Sequence, residues 1–310
     1  MYRGYKVRIG KSVFVEEEIK NLNSKFMVKT KVDNFGKYKE IGEKLFLDKI
    51  KDADETLLQY LLGDGTLKGD VIQDKWFPVV KGQFDVFISH SHKEEDLALA
   101  YALSGWLYEK FNLKCFLDEY VWSSADGLIK KLDDLCRRPG GKGYNYRDRN
   151  MTTSQVHAML TAAIMQEIDD CDALFFLNTP NTVDVVTETQ EYTLSPWIFL
   201  EIGFSKLVKK EWKNEKRKEI INGTIACEAA TRHIKNEAVV QMRMKLDTSH
   251  LCVLNGVDLK NWLDVWIAIR DTKNCDCFLE WNKKVEEYDP LIILDRQHKL
   301  PLKGPKVFLD

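Results

Sequence analysis

The sequence predicts an α/β protein built on a parallel sheet with helices on both faces. Three short apolar runs, FDVFIS, KCFL and ALFFL, have the composition of strands that are buried on both sides. Predicted helices separate these runs, and strands that alternate with helices favour a doubly wound parallel sheet. The length of 310 residues suits one large domain, or one domain with a smaller added region.

The central part of the chain supplies the predicted elements. Ser91 and Glu94 have the spacing of a capping box at the start of one helix. Ser195 and Pro196 mark the start of another helix, because proline is favoured in a first turn. The predicted order is strand 84–89, helix 94–111, strand 114–117, loop 118–127, helix 128–136, loop 137–149, a helix ending near 170, strand 173–177, loop 178–193 and a helix from 195.

Two flanking regions lie outside the predicted main domain of residues 83–285. Residues 1–82 are predicted to form a small α or α+β appendage, because apolar residues recur at helical spacing between Ile41 and Leu62. The appendage is expected to act in regulation or assembly and to contribute nothing to the chemistry. Residues 286–310 are predicted to be a C-terminal tail on the surface. The charge run at 211–219 is interpreted as a solvated helix end or loop.

Charge and composition exclude several classes of function. A net charge of −2 gives no bulk attraction to nucleic acid or to an anionic membrane. The sequence shows neither an apolar run long enough to span a bilayer nor an apolar signal core, so a cytoplasmic location is expected. The seven cysteines include one isolated pair, Cys275 and Cys277, interpreted as incidental, and no metal is expected.

The polar residues after the predicted strands are the first candidates for a site, because ligands of open parallel sheets bind at the carboxyl ends of the strands. This rule selects residues 89–92, 118–124 and 178–180, together with the start of the helix at Ser195. No glycine-rich dinucleotide fingerprint follows the first strand, and no Walker A sequence occurs. Hydride transfer and P-loop nucleotide hydrolysis are therefore disfavoured.

Trp197 and Glu201 form a second candidate. Their spacing of four places both side chains on one face of a helix. Cleavage of a nucleotide glycosidic bond builds positive charge at the anomeric carbon, which a fixed carboxylate stabilises while an aromatic face stacks on a ring. Spacing alone equally allows a core tryptophan beside a surface glutamate, and it favours that simpler interpretation.

A resemblance to a known family changes this balance. The segments FDVFISHSHKEED, CFLDEYVWSSADGLIKKLDDLC, ALFFLNT and TLSPWIFLEI occur in the order of the matching segments of bacterial TIR domains, and the resemblance covers about residues 84–281. It implies a flavodoxin-like sheet and the cleavage of NAD. It places the catalytic glutamate at Glu201 with Trp197 as its aromatic partner, and it makes Ser89, His90 and Trp122 candidates for binding the nucleotide.

Several other residues keep two interpretations. His90 and His92 either contact a phosphate or ribose or are simply polar loop residues. His157 is more readily structural than catalytic. Arg147 and Arg149 either bind a pyrophosphate or lie in an exposed loop. Trp122 either stacks on a nucleotide or contacts a neighbouring subunit.

The resulting hypothesis is a NAD glycohydrolase or ADP-ribosyl cyclase of bacterial anti-phage immunity. NAD is its substrate, and no cofactor is expected. Nicotinamide would be released, and an ADP-ribose-type product would signal to a downstream effector. Self-association through TIR surfaces is expected, and neither nucleic acid nor membrane is an expected partner. Two alternatives remain, namely a non-catalytic TIR scaffold and a nucleoside hydrolase or deoxyribosyltransferase-like enzyme.

Overall fold

The computed structural model of the chain describes residues 1–23, 26–47, 57–64, 66–77, 83–135, 146–187, 190–217, 243–272 and 289–299. The strands are β1 (Arg3–Arg8), β2 (Val15–Asn23), β3 (Phe26–Asp33), β4 (Val86–Ser89), β5 (Cys115–Leu117), β6 (Ala173–Leu177), β7 (Asp184–Thr187), β8 (Gln190–Thr193), β9 (Met244–Leu246) and β10 (Cys252–Asn255). The helices are α1 (Phe35–Leu47), α2 (Gly69–Trp76), α3 (Glu94–Phe111), α4 (Glu119–Leu135), α5 (Tyr146–Asp170), α6 (Pro196–Leu207), α7 (Gly256–Thr272) and α8 (Pro290–Lys299).

The central sheet has five parallel strands in the order β10-β1-β6-β4-β5. The predicted parallel sheet and its three predicted strands, β4, β5 and β6, are therefore confirmed. Without β1, the other four strands keep the order β5-β4-β6-β10, and β1 lies between the last two. The sheet is compatible with a flavodoxin-like arrangement, in which ligands bind where the strand order reverses.

Helices cover both faces of this sheet, because successive strand residues point to opposite sides. Val86 and Ile88 of β4 face a layer formed by α3, α7 and α8, whereas Phe87 faces α4, α5 and α6. The first layer contains Trp106 and Trp262, both fully buried. This arrangement confirms the predicted α/β class with helices on either side.

The N-terminal region corrects the predicted division at residue 82. Strand β1 pairs with both β6 and β10, and its Tyr5 and Val7 are buried in the core. Its sequence, RGYKVR, lacks the apolar run expected of a central strand. Lys6 can be buried in this strand because its ammonium group pairs with the Glu191 carboxylate.

The rest of the N-terminal region has no separate core in its described part. Phe14 and Tyr38 are buried in the same cluster as Trp106, where α1 packs against α3. A hairpin of β2 and β3 lies between β1 and α1 along the chain. The expected role of this region in regulation or assembly stays a prediction.

Five further local predictions are wrong in whole or in part. Helix α4 begins at Glu119, inside the predicted loop 118–127, and the hairpin β7–β8 lies within the predicted loop 178–193. Helix α8 is not a surface tail, because Leu291 and Leu294 are buried. In the charge run, Arg217 is buried among three carboxylates, those of Asp85, Asp172 and Asp289. At α3 the capping residue is Lys93, and the Ser91 hydroxyl donates to Asp96 instead of capping the helix.

Among the described helices, none has both the length and the apolar character required to cross a membrane.

Candidate functional site

Polar side chains from three of the predicted positions meet at the carboxyl edge of the sheet. Ser89 ends β4, Asp118 follows β5, and Glu201 reaches the same place from α6. The Ser89 hydroxyl donates a hydrogen bond of 2.5 Å to Oε2 of Glu201. All three side chains are buried, with exposed fractions of 1% or less. Sequence reasoning had included Asp118 only as the first residue of a loop.

Helix α6 places Glu201 at this edge for a local reason. Ser195 caps the helix by accepting a hydrogen bond from the backbone N–H of Ile198, and Pro196 occupies the first turn, as predicted. The buried residues of α6 recur at helical spacing, namely Ile198, Glu201, Ile202 and Ser205. Glu201 is therefore a polar residue on the apolar stripe that packs toward the sheet.

The surroundings of Glu201 favour its neutral form. Burial, followed by the negative charge of Asp118, raises the pKa of Glu201 well above its ordinary value. The hydrogen bond from Ser89 opposes this shift, and a hydrogen bond between the two carboxyl groups adds to it.

Two histidines, His90 and His92, also contact Asp118. Nε2 of His90 lies 3.2 Å from Oδ1 of Asp118, and Nε2 of His92 lies 3.5 Å from Oδ2. His90 is fully buried, whereas the side chain of His92 is 34% exposed. Nδ1 of His92 contacts the Glu119 carboxylate at 2.8 Å. Burial opposes protonation of His92, but this contact and the charge of Asp118 raise its pKa overall.

Asp96, in the first turn of α3, joins the loops that follow β4 and β6. Its Oδ2 accepts hydrogen bonds from the hydroxyls of Ser91 at 2.5 Å and Thr179 at 2.6 Å. Its Oδ1 accepts from the Asn181 side chain at 3.2 Å. Because Asp96 is buried, these bonds fix the two loops on either side of the site. Sequence reasoning missed this residue, whose only signal was its place in a helix first turn after a candidate loop.

Trp197 and Glu201 share one pocket, as their spacing on α6 predicts. The pocket is small and is lined by Thr161, Ile164, Met165, Ile168, Trp197, Leu200 and Glu201. Trp197 is half-buried and meets His157 of α5 edge to face, with ring centroids 5.5 Å apart. His157 therefore packs against the candidate aromatic residue.

The remaining candidates lie on helices. Trp122 is in α4, and its side chain falls outside the described residues. Arg147 and Arg149 occupy the first turns of α5 and are exposed, in a segment predicted to be a loop. Nε of Arg149 donates to Asp133 of α4 at 2.8 Å. This pair connects the two helices, and a pyrophosphate contact by either arginine stays a prediction.

No family model matches the chain, and no curated protein or solved structure is significantly similar to it. The function therefore has to be argued from the chemistry of the site.

Proposed function

We propose that this protein cleaves the N-glycosidic bond of a nucleotide, with NAD as substrate and Glu201 as the catalytic carboxylate. The observation that carries the proposal is the position of Glu201. It lies where ligands of open parallel sheets bind, it is held by Ser89, and it lines a pocket together with Trp197. The ordered resemblance of four segments to TIR domains supports the same residue.

The chemistry requires a fixed negative charge beside C1′ of the ribose. As the bond from C1′ to nicotinamide breaks, the electron pair leaves with the nitrogen and the sugar becomes an oxocarbenium ion. Ionised Glu201 stabilises this cation, and the Ser89 hydroxyl fixes one carboxylate oxygen in place. Water, or an oxygen or nitrogen of the same nucleotide, then bonds to C1′ and loses its proton. The product is ADP-ribose or a cyclic isomer.

The resting pocket is smaller than a nucleotide site. Its cavity volume is about 10 Å³, room for about one water molecule, whereas small-molecule pockets usually measure roughly 300–1,000 Å³. Binding of NAD therefore requires displacement of the wall formed by α5 and α6. In this proposal, assembly with other copies or an immune trigger causes the displacement. The product of the reaction then acts as a signal in the cytoplasm.

The direct test is an assay for release of nicotinamide from NAD. Chromatography measures the nicotinamide over a range of protein concentrations. The Glu201→Gln variant keeps the shape of the side chain but cannot carry negative charge. It should lower turnover by at least about 100-fold, the scale of losing one electrostatic contact to a transition state. Glu95→Gln, at an exposed glutamate of α3, is the matched control and should retain activity. Near-wild-type turnover by folded Glu201→Gln would refute the role of Glu201.

A non-catalytic assembly module is the second candidate. The exposed fraction of Glu201 is 1%, which favours a structural carboxyl over one that meets substrate. Under this alternative, Glu201→Gln changes neither the fold nor self-association, and no nicotinamide appears at any protein concentration. Adding free nucleosides to the same assay tests the nucleoside hydrolase alternative through release of the free base.

A further inference from the structure

We infer that His90, His92 and Asp118 form a binding site for a divalent transition-metal ion such as Zn²⁺. The site lies at the carboxyl ends of β4 and β5, beside the carboxyl group of Glu201. It is an addition to the proposed glycosidic chemistry, which needs no metal, so either proposal can fail without the other.

The distances fit the coordination of one ion. One ligand atom from each of the three side chains can be chosen so that all lie within 4.8 Å of one another. The contacts of Asp118 with Nε2 of His90 and of His92 measure 3.2 and 3.5 Å. Around an ion with bonds of about 2.0–2.2 Å, neighbouring ligand atoms of a tetrahedral site lie about 3.3–3.6 Å apart. Only small side-chain movements are therefore needed to coordinate an ion.

The histidine rings have the orientation found in metal sites, where the second ring nitrogen is held by a carbonyl or carboxylate. Nδ1 of His90 lies 3.0 Å from the Ser91 carbonyl oxygen, which can only accept, so this nitrogen carries the proton. Nδ1 of His92 faces the Glu119 carboxylate at 2.8 Å. These contacts direct Nε2 of both rings toward Asp118.

Two buried atoms lack the partner that a cation would supply. Nε2 of His90 and Oδ1 of Asp118 are buried, and neither has a hydrogen-bond partner among the described residues. When the ring carries a single proton, on Nδ1, His90 presents a lone pair to a carboxylate oxygen, an arrangement that is repulsive without a positive charge between them. Burial of such groups without compensation is costly, and a metal ion bound by both atoms removes the cost.

The ligand set points to the class of ion. Two imidazole nitrogens and one carboxylate suit Zn²⁺ or Fe²⁺ and are unlike the all-oxygen sites of Mg²⁺ and Ca²⁺. Three protein ligands leave at least one position for water or an anionic oxygen. The partial exposure of His92 gives that position a route to solvent.

The test uses the full chain, stripped with a chelator and titrated calorimetrically with Zn²⁺. We expect one tight equivalent, lost in both His92→Ala and Asp118→Asn, and weakened about 10–100-fold in Glu119→Gln, which only orients His92. His157→Ala is the matched histidine control. A Cys275→Ser/Cys277→Ser double variant excludes binding by the cysteine pair, and both of these controls should bind as the wild type does.

Cobalt provides a second measurement that does not depend on the folding of any variant. Co²⁺ bound by nitrogen and oxygen gives visible bands without thiolate charge transfer, and competition with Zn²⁺ should remove them. The inference is overturned if the wild-type chain binds no Zn²⁺ or if His92→Ala and Asp118→Asn bind it unchanged. It is equally overturned if the double cysteine variant abolishes binding or the Co²⁺ spectrum shows thiolate ligation.

Discussion

The contact between α1 and α3 depends on two glycines that leave no room for a side chain. A Cβ atom added at Gly105 would lie 2.0 Å from the Tyr38 carbonyl oxygen, and one at Gly42 would lie 2.0 Å from the Tyr101 carbonyl oxygen. Real Cβ atoms essentially never approach another heavy atom within 3.0 Å. Gly105→Ala should therefore force the two helix backbones apart by about 1 Å at this point.

Two opposing effects set the size of the change. Alanine is favoured over glycine inside a helix by roughly 0.5–1 kcal/mol. Overpacking costs typically about 1–3 kcal/mol, and here the clash is with backbone, which cannot rotate away. Separation of the helices also loosens the packing of Tyr38, whose hydroxyl donates to Glu16 at 2.6 Å. We expect a net loss of about 2 kcal/mol in the free energy of unfolding.

Thermal denaturation followed by circular dichroism measures this loss. For a chain of this size, about 2 kcal/mol corresponds to a melting temperature lower by about 3 °C. Gly203→Ala in α6 is the matched control, because an added Cβ there meets nothing within 4 Å. It should leave the melting temperature unchanged or raise it. Equal stability of Gly105→Ala and wild type would show that α1 does not dock on α3 as described.

Three further outcomes follow from the packing. Deletion of residues 1–9 removes the interior strand β1 from the sheet and should abolish cooperative unfolding, whereas removal of a detached appendage would leave a sharp transition. Because Trp197 is only half-buried, Trp197→Ala should lower the free energy of unfolding by about 1–2 kcal/mol, less than the roughly 3–5 kcal/mol lost with a fully buried aromatic residue. A thermal melt together with the nicotinamide assay separates a role in the site from a role in the core. Burial is the main cause that lowers the pKa of His250 to about 4. The free energy of unfolding should therefore fall as pH drops from 6.5 toward 4, by up to about 2 kcal/mol after allowance for the partial exposure of the ring. Thermal melts across this pH range should show that His250→Gln loses most of the dependence.

The parallel sheet could be predicted because its central strands carry a strong signal. The runs FDVFIS and ALFFL are apolar without alternation, as expected of strands covered on both faces. Strand β1 was missed because half of its residues are basic, and only tertiary structure shows that Lys6 is neutralised by Glu191. Helix α8 was missed for a related reason, since its four buried apolar residues, Leu291–Leu294, are too few to show a period.

The edge of the sheet that holds the candidate site was also predictable, whereas its internal chemistry was not. The rule that ligands of open sheets bind at the carboxyl ends of the strands selects the segments containing Ser89, His90 and Asp118 from sequence alone. Sequence gives no distance between residues on different strands, so it could not show that Asp118 lies between two histidines and Glu201. For the same reason, sequence could not identify Asp96, whose carboxylate joins the loops after β4 and β6 through hydrogen bonds from Ser91 and Thr179.

The buried position of Glu201 sets a condition on the substrate of the proposed reaction. Glu201 is surrounded by low-dielectric packing and by the negative charge of Asp118, which favour its neutral form. Stabilisation of an oxocarbenium ion needs the ionised form, so a substrate that brings positive charge assists the reaction before any bond breaks. The nicotinamide ring of NAD carries that charge, whereas the base of an ordinary nucleoside does not. We therefore expect base release from NAD to exceed release from inosine or adenosine under the same conditions. Equal rates from charged and uncharged substrates would contradict this electrostatic account while leaving Glu201 as the catalytic group.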